Sequence, residues 1–418
     1  MSKPKVNFIV PSWKYWKEPL RAQPLTQMYL ATILEDEGID VEITDLRDGP
    51  KTMHNKDLFF YTVASPDVKE TTQIVQTLKD VYPESKHVAG GPHPSIRPKE
   101  LQQFDSIVIG KGEEAIKQII KDFPDIKGSY QMPANGTYPF PRRHFLPKDK
   151  IVNDNLFKTD NMPSTTAQFS FGCPFECSFC ANYTRGPVRR NSLDKIGTEI
   201  DYLKSEYGIQ GLSLQDEIAI PLHPERAKEF LDLIKSKDIS WRGQIRALKD
   251  TRILERAKES GLVELSFGLE SVNQDVLDLT GKKIQIADVK ETLDACEMYG
   301  IKTRLYLLNG LPGEPENIVE QTKRFISRYQ PDLVLLSSLQ PYPGSPIADH
   351  PEKFGMKSVS TDYDRFNHLM CRFSDSDDNP ENAVPYQFEE GRGLSRKQII
   401  ANLLELQEFL REGDKNKW

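Results

Sequence analysis

The sequence predicts an α/β protein: an N-terminal Rossmann-like or flavodoxin-like parallel sheet, a (β/α)6 partial TIM barrel and a short helical C-terminal extension. Two observations support this fold class. Short apolar runs alternate with amphipathic helical stretches over residues 1–123, and the same alternation resumes at Thr165. Strands that alternate with helices indicate crossover connections and a parallel sheet covered by helices. The break between the two alternating regions predicts two domains.

The N-terminal region contains five predicted strands, at residues 6–10, 41–44, 58–63, 87–89 and 106–109. The spacing of apolar residues predicts helices at 24–37, through 74–81 and at 113–123. Open α/β sheets of this kind bind their ligands at the carboxyl ends of the strands. Glycine-containing turns at the ends of the last two strands are therefore candidate contacts.

The second region contains six predicted strands, at residues 166–171, 212–214, 241–245, 263–267, 303–308 and 333–336. Its first helix begins after the N-cap Ser192 and ends at Gly208. The later helices are predicted at 225–236, 251–260, 286–299 and 316–329. In barrels of this kind the chemistry takes place on the loops that follow the strands.

Four segments follow from these patterns. They are a domain at 1–123, a proline-containing inter-domain linker at 124–164, the barrel at 165–345 and the extension at 346–418. Within the extension, the acidic stretch 374–390 is predicted to be a long loop. The last helix carries a capping-box pattern that begins at Ser395.

The composition excludes several classes of protein. With 62 acidic and 55 basic residues the net charge is −7, so a broad basic surface for nucleic acid is not expected. No apolar run approaches the roughly 20 residues of a membrane span, and the N-terminal run is too short for a signal peptide. The five cysteines are an odd number, and three lie within eight residues. A disulfide framework is therefore disfavoured, and a metal site in a cytoplasmic protein is expected.

The strongest motif is the loop Cys173-Pro-Phe-Glu-Cys177-Ser-Phe-Cys180, which follows the first barrel strand. Three thiolates on one loop can hold three irons of a 4Fe–4S cluster and leave the fourth iron open to a small chelating molecule. A structural zinc ion needs four ligands. The nearest histidines, His144 and His223, are tens of residues away. Zinc and three unrelated cysteines remain the alternatives.

This loop resembles that of the radical S-adenosylmethionine (radical SAM) superfamily, whose CxxxCxxC motif has an aromatic residue before the last cysteine. Phe179 occupies that position. The resemblance implies that SAM binds the open iron. It also implies that Asp216 and Glu217 contact the methionyl amino group, and that Arg246 contacts the carboxylate. A helix N-cap and a surface arginine are the simpler interpretations of these residues.

Two further elements resemble this family. Gly268, Glu270 and Ser271 match its G-x-E-S element, which implies contacts with the ribose of SAM. Gly310 lies in a Gly-Leu-Pro-Gly-Glu turn after the fifth strand, although this turn can also be purely structural. Of the two remaining cysteines, Cys296 lies on an apolar helical face and Cys371 is isolated, so no second cluster is expected.

The N-terminal region resembles the cobalamin-binding-type domain that precedes some radical SAM barrels. The resemblance implies cobalamin contacts in a set of turn residues: Gly90, Gly91, His93, Gly110 and Gly112. The D-x-H-x-x-G motif, whose histidine ligates cobalt in some cobalamin proteins, is absent. His93 is therefore either an ordinary loop residue or a contact to the lower face of the cofactor.

The resemblance implies a radical SAM enzyme with a 4Fe–4S cluster, SAM and cobalamin as cofactors. It would take an electron from a flavodoxin-type or ferredoxin-type reductant and abstract hydrogen from an unactivated carbon of a small molecule. Methyl transfer is the expected reaction, with radical rearrangement, cyclisation or oxidation as the alternative. A tRNA methylthiolase is disfavoured because no cysteine precedes Cys173. A zinc-binding interaction module is the alternative outside the enzymes. The substrate, the oligomeric state and the catalytic residues are not predicted.

Overall fold

The computed structural model describes residues 3–14, 16, 18–133, 138–154, 156–157, 162–183, 185–366 and 383–413. The chain divides into two compact units, Met1–Asn153 and Asp154–Trp418. Within the described ranges, every helix is too short or too polar to span a bilayer. The domain boundaries expected at residues 123, 164 and 345 stay predictions.

A six-stranded parallel sheet lies at the centre of the first unit. Its strands are β1 (Val6–Val10), β2 (Val41–Asp45), β3 (Leu58–Thr62), β4 (Lys86–Gly90), β5 (Ser106–Val108) and β6 (Ser129–Tyr130). Their spatial order is β2-β1-β3-β4-β5-β6, and all neighbouring pairs are parallel. The order reverses between β1 and β3, which makes the carboxyl ends of these two strands the expected ligand crevice. The predicted flavodoxin-like sheet is confirmed, with β6 as an additional strand.

The helices of the first unit are α1 (Leu25–Asp36), α2 (Val68–Val81), α3 (Pro92–Ile96), α4 (Glu113–Asp122) and α5 (Lys148–Ile151). All five residues of β1 are buried, as expected for a central parallel strand. On one side of the sheet, Val75 and Leu78 of α2 belong to the same apolar cluster as Phe59 and Tyr61 of β3. This packing holds the strand ends, and the loops after them, in fixed positions.

A second parallel sheet forms the centre of the other unit. The strands from this part of the chain are β7 (Ser164–Ala167), β8 (Ser170–Phe171), β9 (Arg189–Arg190), β10 (Gly211–Leu214), β11 (Ser240–Ile245), β12 (Leu262–Glu270), β13 (Lys302–Asn309) and β14 (Leu333–Ser338). The sheet runs β7-β10-β11-β12-β13-β14, with each strand parallel to the next. In the described residues its two edges, β7 and β14, are not paired with each other. The predicted partial barrel is confirmed.

The short strands β8 and β9 pair antiparallel beside this sheet. In the chain, these two strands directly precede and follow residues 172–188, which we call the cysteine loop. The helices of the second unit are α6 (Leu193–Tyr207), α7 (Pro224–Ser236), α8 (Ile253–Glu259), α9 (Gln274–Leu279), α10 (Ile286–Tyr299), α11 (Ile318–Tyr329), α12 (Pro346–Asp349) and α13 (Arg396–Glu412). As predicted, Ser192 caps α6 and Gly208 ends it in the left-handed conformation.

The C-terminal extension contains more than the predicted helix. Strands β15 (Met356–Val359) and β16 (Tyr386–Phe388) form an antiparallel pair. The predicted capping box at Ser395 begins α13. Residues 374–382 of the acidic stretch lie outside the described residues, and residues 386–388 of that stretch form β16 rather than a loop. Tyr386 belongs to an apolar cluster with Leu311, so the extension packs on the turn after β13.

Candidate active site

The cysteine loop lies at the carboxyl end of β7. Cys177 is buried, Cys173 and Cys180 are half-buried, and all three are free thiols. The loop is held from within, since the backbone N–H of Cys180 donates to the carbonyl of Cys177 over 3.1 Å. It is also held from outside, since the N–H of Ser178 donates to the carbonyl of Thr280 over 2.9 Å. The loop is therefore attached to the turn that follows α9.

The arrangement of the thiols suits an iron–sulfur cluster. A single zinc ion requires its ligands to converge on one point. Among the described residues, no three His, Cys, Asp or Glu side chains form such a group. The cysteine ligands of a 4Fe–4S cluster each bind a different iron, so they need not converge. Three free thiols along one loop are compatible with ligation of this kind.

Arg246, directly after β11, contacts this loop. Its Nη1 lies 3.7 Å from the Sγ of Cys177, and its guanidinium carbon lies 3.6 Å from the centre of the Phe175 ring. Its Nη2 donates to the backbone carbonyl of Lys282. The side chain is half-buried rather than a freely solvated surface charge. The structure thus brings the end of β11 to the cysteine loop.

Glu270, the last residue of β12, lies close to the same place. Its Oε1 accepts a hydrogen bond from the Nζ of Lys282 over 2.8 Å, and both side chains are largely buried. The Nζ of Lys282 also lies 5.6 Å from the centre of the Phe179 ring. A Cβ on Gly268 would overlap Glu270 Oε1 and lie 2.8 Å from Lys282 Nζ. The glycine therefore makes room for this ion pair.

Asp216 follows β10 and is fully buried. Its Oδ2 accepts the backbone N–H of Phe169 over 3.1 Å, and its Oδ1 accepts the hydroxyl of Ser170. The Nη1 of Arg190 lies 3.6 Å from Oδ1. Burial raises the pKa of Asp216 to about 6, although Arg190 opposes this shift. Both carboxyl oxygens thus hold the chain just before the cysteine loop.

Two further predicted residues flank these carboxylates. Glu217 is half-buried beside Asp216. Ser271 is buried directly after Glu270, and its hydroxyl accepts the backbone N–H of Asn273 over 3.2 Å. The Ser271 hydroxyl therefore caps the turn before α9.

Gly310 has a packing role in this structure. Its φ is 85°, and a Cβ would overlap the Tyr386 hydroxyl and lie 2.8 Å from Ile399 Cγ2. Its backbone N–H donates to Glu314 over 2.9 Å, and its carbonyl accepts the Tyr386 hydroxyl over 2.8 Å. Complete burial raises the pKa of Glu314 to about 8. The turn after β13 is thus closed by the C-terminal extension.

The predicted cobalamin turns of the first unit are joined by one hydroxyl. Ser95 donates to the carbonyl of Gly91 over 2.7 Å and accepts the N–H of Gly110 over 2.9 Å. A Cβ on Gly91 would lie 3.1 Å from the backbone nitrogen of Val63, so the protein itself fills that space. Gly110 has a φ of 80° and nothing within 4 Å of the same position. Of these two turns, that at Gly110 leaves space for a ligand.

The other predicted cobalamin residues have less free space around them than Gly110. His93 is fully buried, with Nδ1 at 3.0 Å from the Ser65 hydroxyl and Nε2 at 3.2 Å from a Glu100 carboxyl oxygen. Burial lowers the pKa of His93 to about 4, so the ring is neutral at pH 7. Cβ positions on Gly90 and Gly112 would make ordinary contacts with neighbouring side chains. The Nδ1 of His93 is thus engaged within the first unit by the Ser65 hydroxyl.

Sequence reasoning missed Lys282, Ser170 and Arg190. Lys282 follows a Thr-Gly pair, which predicts a turn but gives no indication of a partner for the lysine side chain. Ser170 and Arg190 meet Asp216 only through the pairing of β8 with β9. The hydroxyl of Ser170, three residues before Cys173, was a weak signal that a side chain anchors the loop.

Comparison with known proteins identifies the two halves of the chain. Residues 168–326 match the model of the radical SAM superfamily, and residues 19–120 match that of the B12 binding domain. The chain is a radical SAM enzyme with a B12-binding domain. These matches support the predicted cofactors. The radical SAM match implies SAM and an iron–sulfur cluster, and the B12-binding match implies cobalamin. The residues that hold each cofactor remain predictions.

Among curated relatives, this radical SAM enzyme is 26% identical over 374 residues to an uncharacterised methyltransferase of Pyrococcus horikoshii. The alignment covers 78% of each chain. It is 24% identical over 386 residues to the anaerobic magnesium-protoporphyrin IX monomethyl ester cyclase of Rubrivivax gelatinosus, over 83% of this chain and 69% of the relative. It is also 22% identical, over 79% of this chain and 69% of the relative, to the hopanoid C-3 methylase of Methylococcus capsulatus.

Solved structures share its fold. The radical SAM methyltransferase TsrM from Kitasatospora setae, with cobalamin and a [4Fe-4S] cluster bound, superimposes with a TM-score of 0.72. The two proteins are 16% identical, and the match covers 98% of this chain and 89% of TsrM. The cobalamin-dependent radical SAM enzyme OxsB gives a TM-score of 0.69 at 14% identity, over 99% of this chain and 67% of OxsB.

Proposed function

We propose that this enzyme methylates a small molecule at an unactivated carbon, with a 4Fe–4S cluster, SAM and cobalamin as cofactors. The observation that carries the proposal is that the ends of two adjacent strands come together beside the cysteine loop. Arg246 contacts the loop directly, and Glu270 pairs with Lys282, whose Nζ lies 5.6 Å from the centre of the Phe179 ring. The names of several relatives support methyl transfer. A flavodoxin-type or ferredoxin-type protein is the proposed electron donor. The three cysteines must stay reduced to bind a cluster, and thiols stay reduced in the cytoplasm, so we infer a cytoplasmic location.

In this proposal the cluster is held by Cys173, Cys177 and Cys180. When bound, the reduced cluster and SAM supply a hydrogen-abstracting radical, and cobalamin supplies a carrier for the methyl group. The protein residues hold the reactants and exclude water. Burial of Cys177 and the hydrogen bonds of the loop keep the thiols in place.

The SAM site in this proposal is built from the ends of β10, β11 and β12. The guanidinium of Arg246 pairs with the SAM carboxylate, because a planar fork of donors matches a carboxylate. Glu270 accepts the ribose hydroxyls, and Phe179 lies beside the cluster. Asp216 and Glu217 provide negative charge for the amino group. Gly268, Ser271 and Gly310 shape the backbone around the site.

Cobalamin is proposed to bind at the carboxyl ends of the first sheet, where Gly110 leaves open space. His93 is fully buried and its Nδ1 is held by the Ser65 hydroxyl, so we infer that it provides no ligand to cobalt. Gly90, Gly91 and Gly112 form the backbone of the same edge. Binding of hydroxocobalamin to the full chain, measured by equilibrium dialysis, tests this step. Binding that is weak and not saturable would remove cobalamin from the proposal.

The cluster is tested by anaerobic reconstitution of the Cys177→Ala variant. We expect the brown absorbance and the SAM cleavage to be lost, with the fold retained. Cys296→Ala is the matched control, because Cys296 is buried in α10 and burial raises its pKa to about 12. Zinc at one per chain without sulfide in the wild type would instead support the zinc-binding interaction module.

Radical cyclisation is the second candidate, and the similarity to the anaerobic ester cyclase favours it. The two reactions differ in the fate of SAM. Methyl transfer from SAM to reduced cobalamin releases S-adenosylhomocysteine, whereas cyclisation leaves the methyl group on methionine. Incubation with SAM, reductant and cobalamin, followed by chromatography, separates them. The absence of S-adenosylhomocysteine would favour cyclisation, rearrangement or oxidation.

A further inference from the structure

Arg246 has a defined orientation that does not depend on a ligand. One face of its guanidinium stacks on Phe175, and its Nη2 donates to the carbonyl of Lys282. These contacts direct Nη1 toward the Sγ of Cys177, at 3.7 Å. Two of the three contacts are therefore with the cysteine loop itself.

The guanidinium of Arg246 has no close acidic partner among the described residues. In the part of the chain that the structure describes, no carboxylate lies within 4.0 Å of the Arg246 side chain. The nearby Lys282 is different, because Glu270 pairs with it at 2.8 Å. Arg246 thus places a positive charge beside the middle cysteine, with no carboxylate of the described residues in direct contact with it.

We propose that Arg246 is a positioning residue that hydrogen-bonds the Cys177 thiolate and raises the reduction potential of the cluster, independently of SAM. The proposal rests on the 4Fe–4S cluster proposed above. Reduction adds a negative charge to the cluster, and hydrogen bonds to its sulfur ligands favour the reduced state. This role is separate from pairing with the SAM carboxylate, because it operates before SAM binds.

The test is a potentiometric titration of the reconstituted full-length enzyme without SAM, followed by electron paramagnetic resonance. We compare the wild type with Arg246→Gln and Arg246→Lys. In the glutamine variant the equilibrium constant for reduction of the cluster should fall at least tenfold. For a one-electron couple this lowers the midpoint potential by at least 59 mV. The lysine variant should show a smaller shift, because it keeps the charge and loses the planar fork.

Arg252→Gln is the matched control. It removes the same charge from the same connection between β11 and α8, but Arg252 is exposed and pairs with Asp250 at 2.6 Å. We expect its midpoint potential to equal that of the wild type. The midpoint does not depend on cluster content, so a variant that is only partly loaded still gives an answer.

An Arg246→Gln enzyme with a midpoint equal to that of the wild type would overturn this inference. So would an equal shift in the Arg252→Gln control. Neither result would affect the proposed function, which requires that the wild type holds the cluster but sets no value for its midpoint potential. Conversely, a wild type with no cluster would contradict the proposed function before any midpoint could be compared.

Discussion

The Nζ of Lys282 donates to the carboxylate of Glu270 over 2.8 Å, beside the bare Cα of Gly268. The resemblance of the G-x-E-S element to that of the radical SAM family implied that this glycine contacts the ribose of SAM. In the structure the space over it is occupied by the carboxylate two residues later and by the lysine that pairs with it. The glycine, the glutamate and the lysine therefore form one interdependent group at the end of β12.

The first prediction concerns Gly268→Ala. The added Cβ would displace the Glu270 carboxylate and weaken its pair with Lys282. Overpacking of this kind costs about 1–3 kcal/mol of unfolding free energy, measured by urea denaturation. Gly128→Ala is the control, because nothing lies within 4 Å of its added Cβ. Equal stability of the two variants would contradict the interpretation.

The second prediction concerns Glu270→Gln. Loss of a charge-assisted hydrogen bond to the ribose should weaken SAM binding roughly ten- to a hundredfold. The amide keeps an acceptor for Lys282, so the fold is retained. Asp275→Asn, in the first turn of α9, is a control for the loss of negative charge. Unchanged SAM affinity in calorimetry would mean that the ribose site lies elsewhere.

The third prediction concerns Asp216→Asn. The amide cannot accept from both Phe169 and Ser170, so the chain before the cysteine loop should loosen. We expect a lower iron and sulfide content after reconstitution and a loss of about 1–3 kcal/mol of stability. If the variant keeps a full cluster and loses only SAM affinity, Asp216 acts on the SAM amino group and not on the loop.

The fourth prediction concerns the buried carboxyl of Glu314, whose pKa is raised from 4.5 to about 8. The folded state holds its proton more tightly than the unfolded state, so the contribution of this group to stability decreases as pH rises from about 4.5 to 8. Glu314→Gln mimics the neutral form. We expect the variant to gain stability relative to the wild type between pH 6 and pH 9 in urea denaturation. A difference that is constant with pH would contradict this.

The fifth prediction compares Gly110→Ala with Gly208→Ala. Both glycines have positive φ, 80° and 69°, and both have open space at the added Cβ. The strain should therefore be similar, about 1–2 kcal/mol. Only Gly110→Ala should weaken the binding of hydroxocobalamin, because only that glycine lies at the ligand edge of the first sheet. An equal effect of both variants would indicate general destabilisation.

Elements with a strong local pattern could be predicted closely. The first five strands of the first sheet follow from runs of apolar residues, and the cap and end of α6 follow from Ser192 and Gly208. Strand β6 and the pair β15–β16 were not predicted, because these two- to four-residue segments do not lie in a run of apolar residues. Strands of this kind carry little pattern of their own and form because neighbouring strands supply their hydrogen bonds.

The sequence alone determined the fold class and the cysteine loop, because apolar periodicity and the spacing of three thiols are local properties. Only the tertiary structure decided what surrounds the loop. Arg246 lies 69 residues from Cys177, and Asp216 lies 46 residues from Ser170. The carboxyl ends of parallel strands meet at one edge of a sheet, so residues far apart in the chain become neighbours there. Their hydrogen bonds and charges depend on that meeting, which no local pattern encodes.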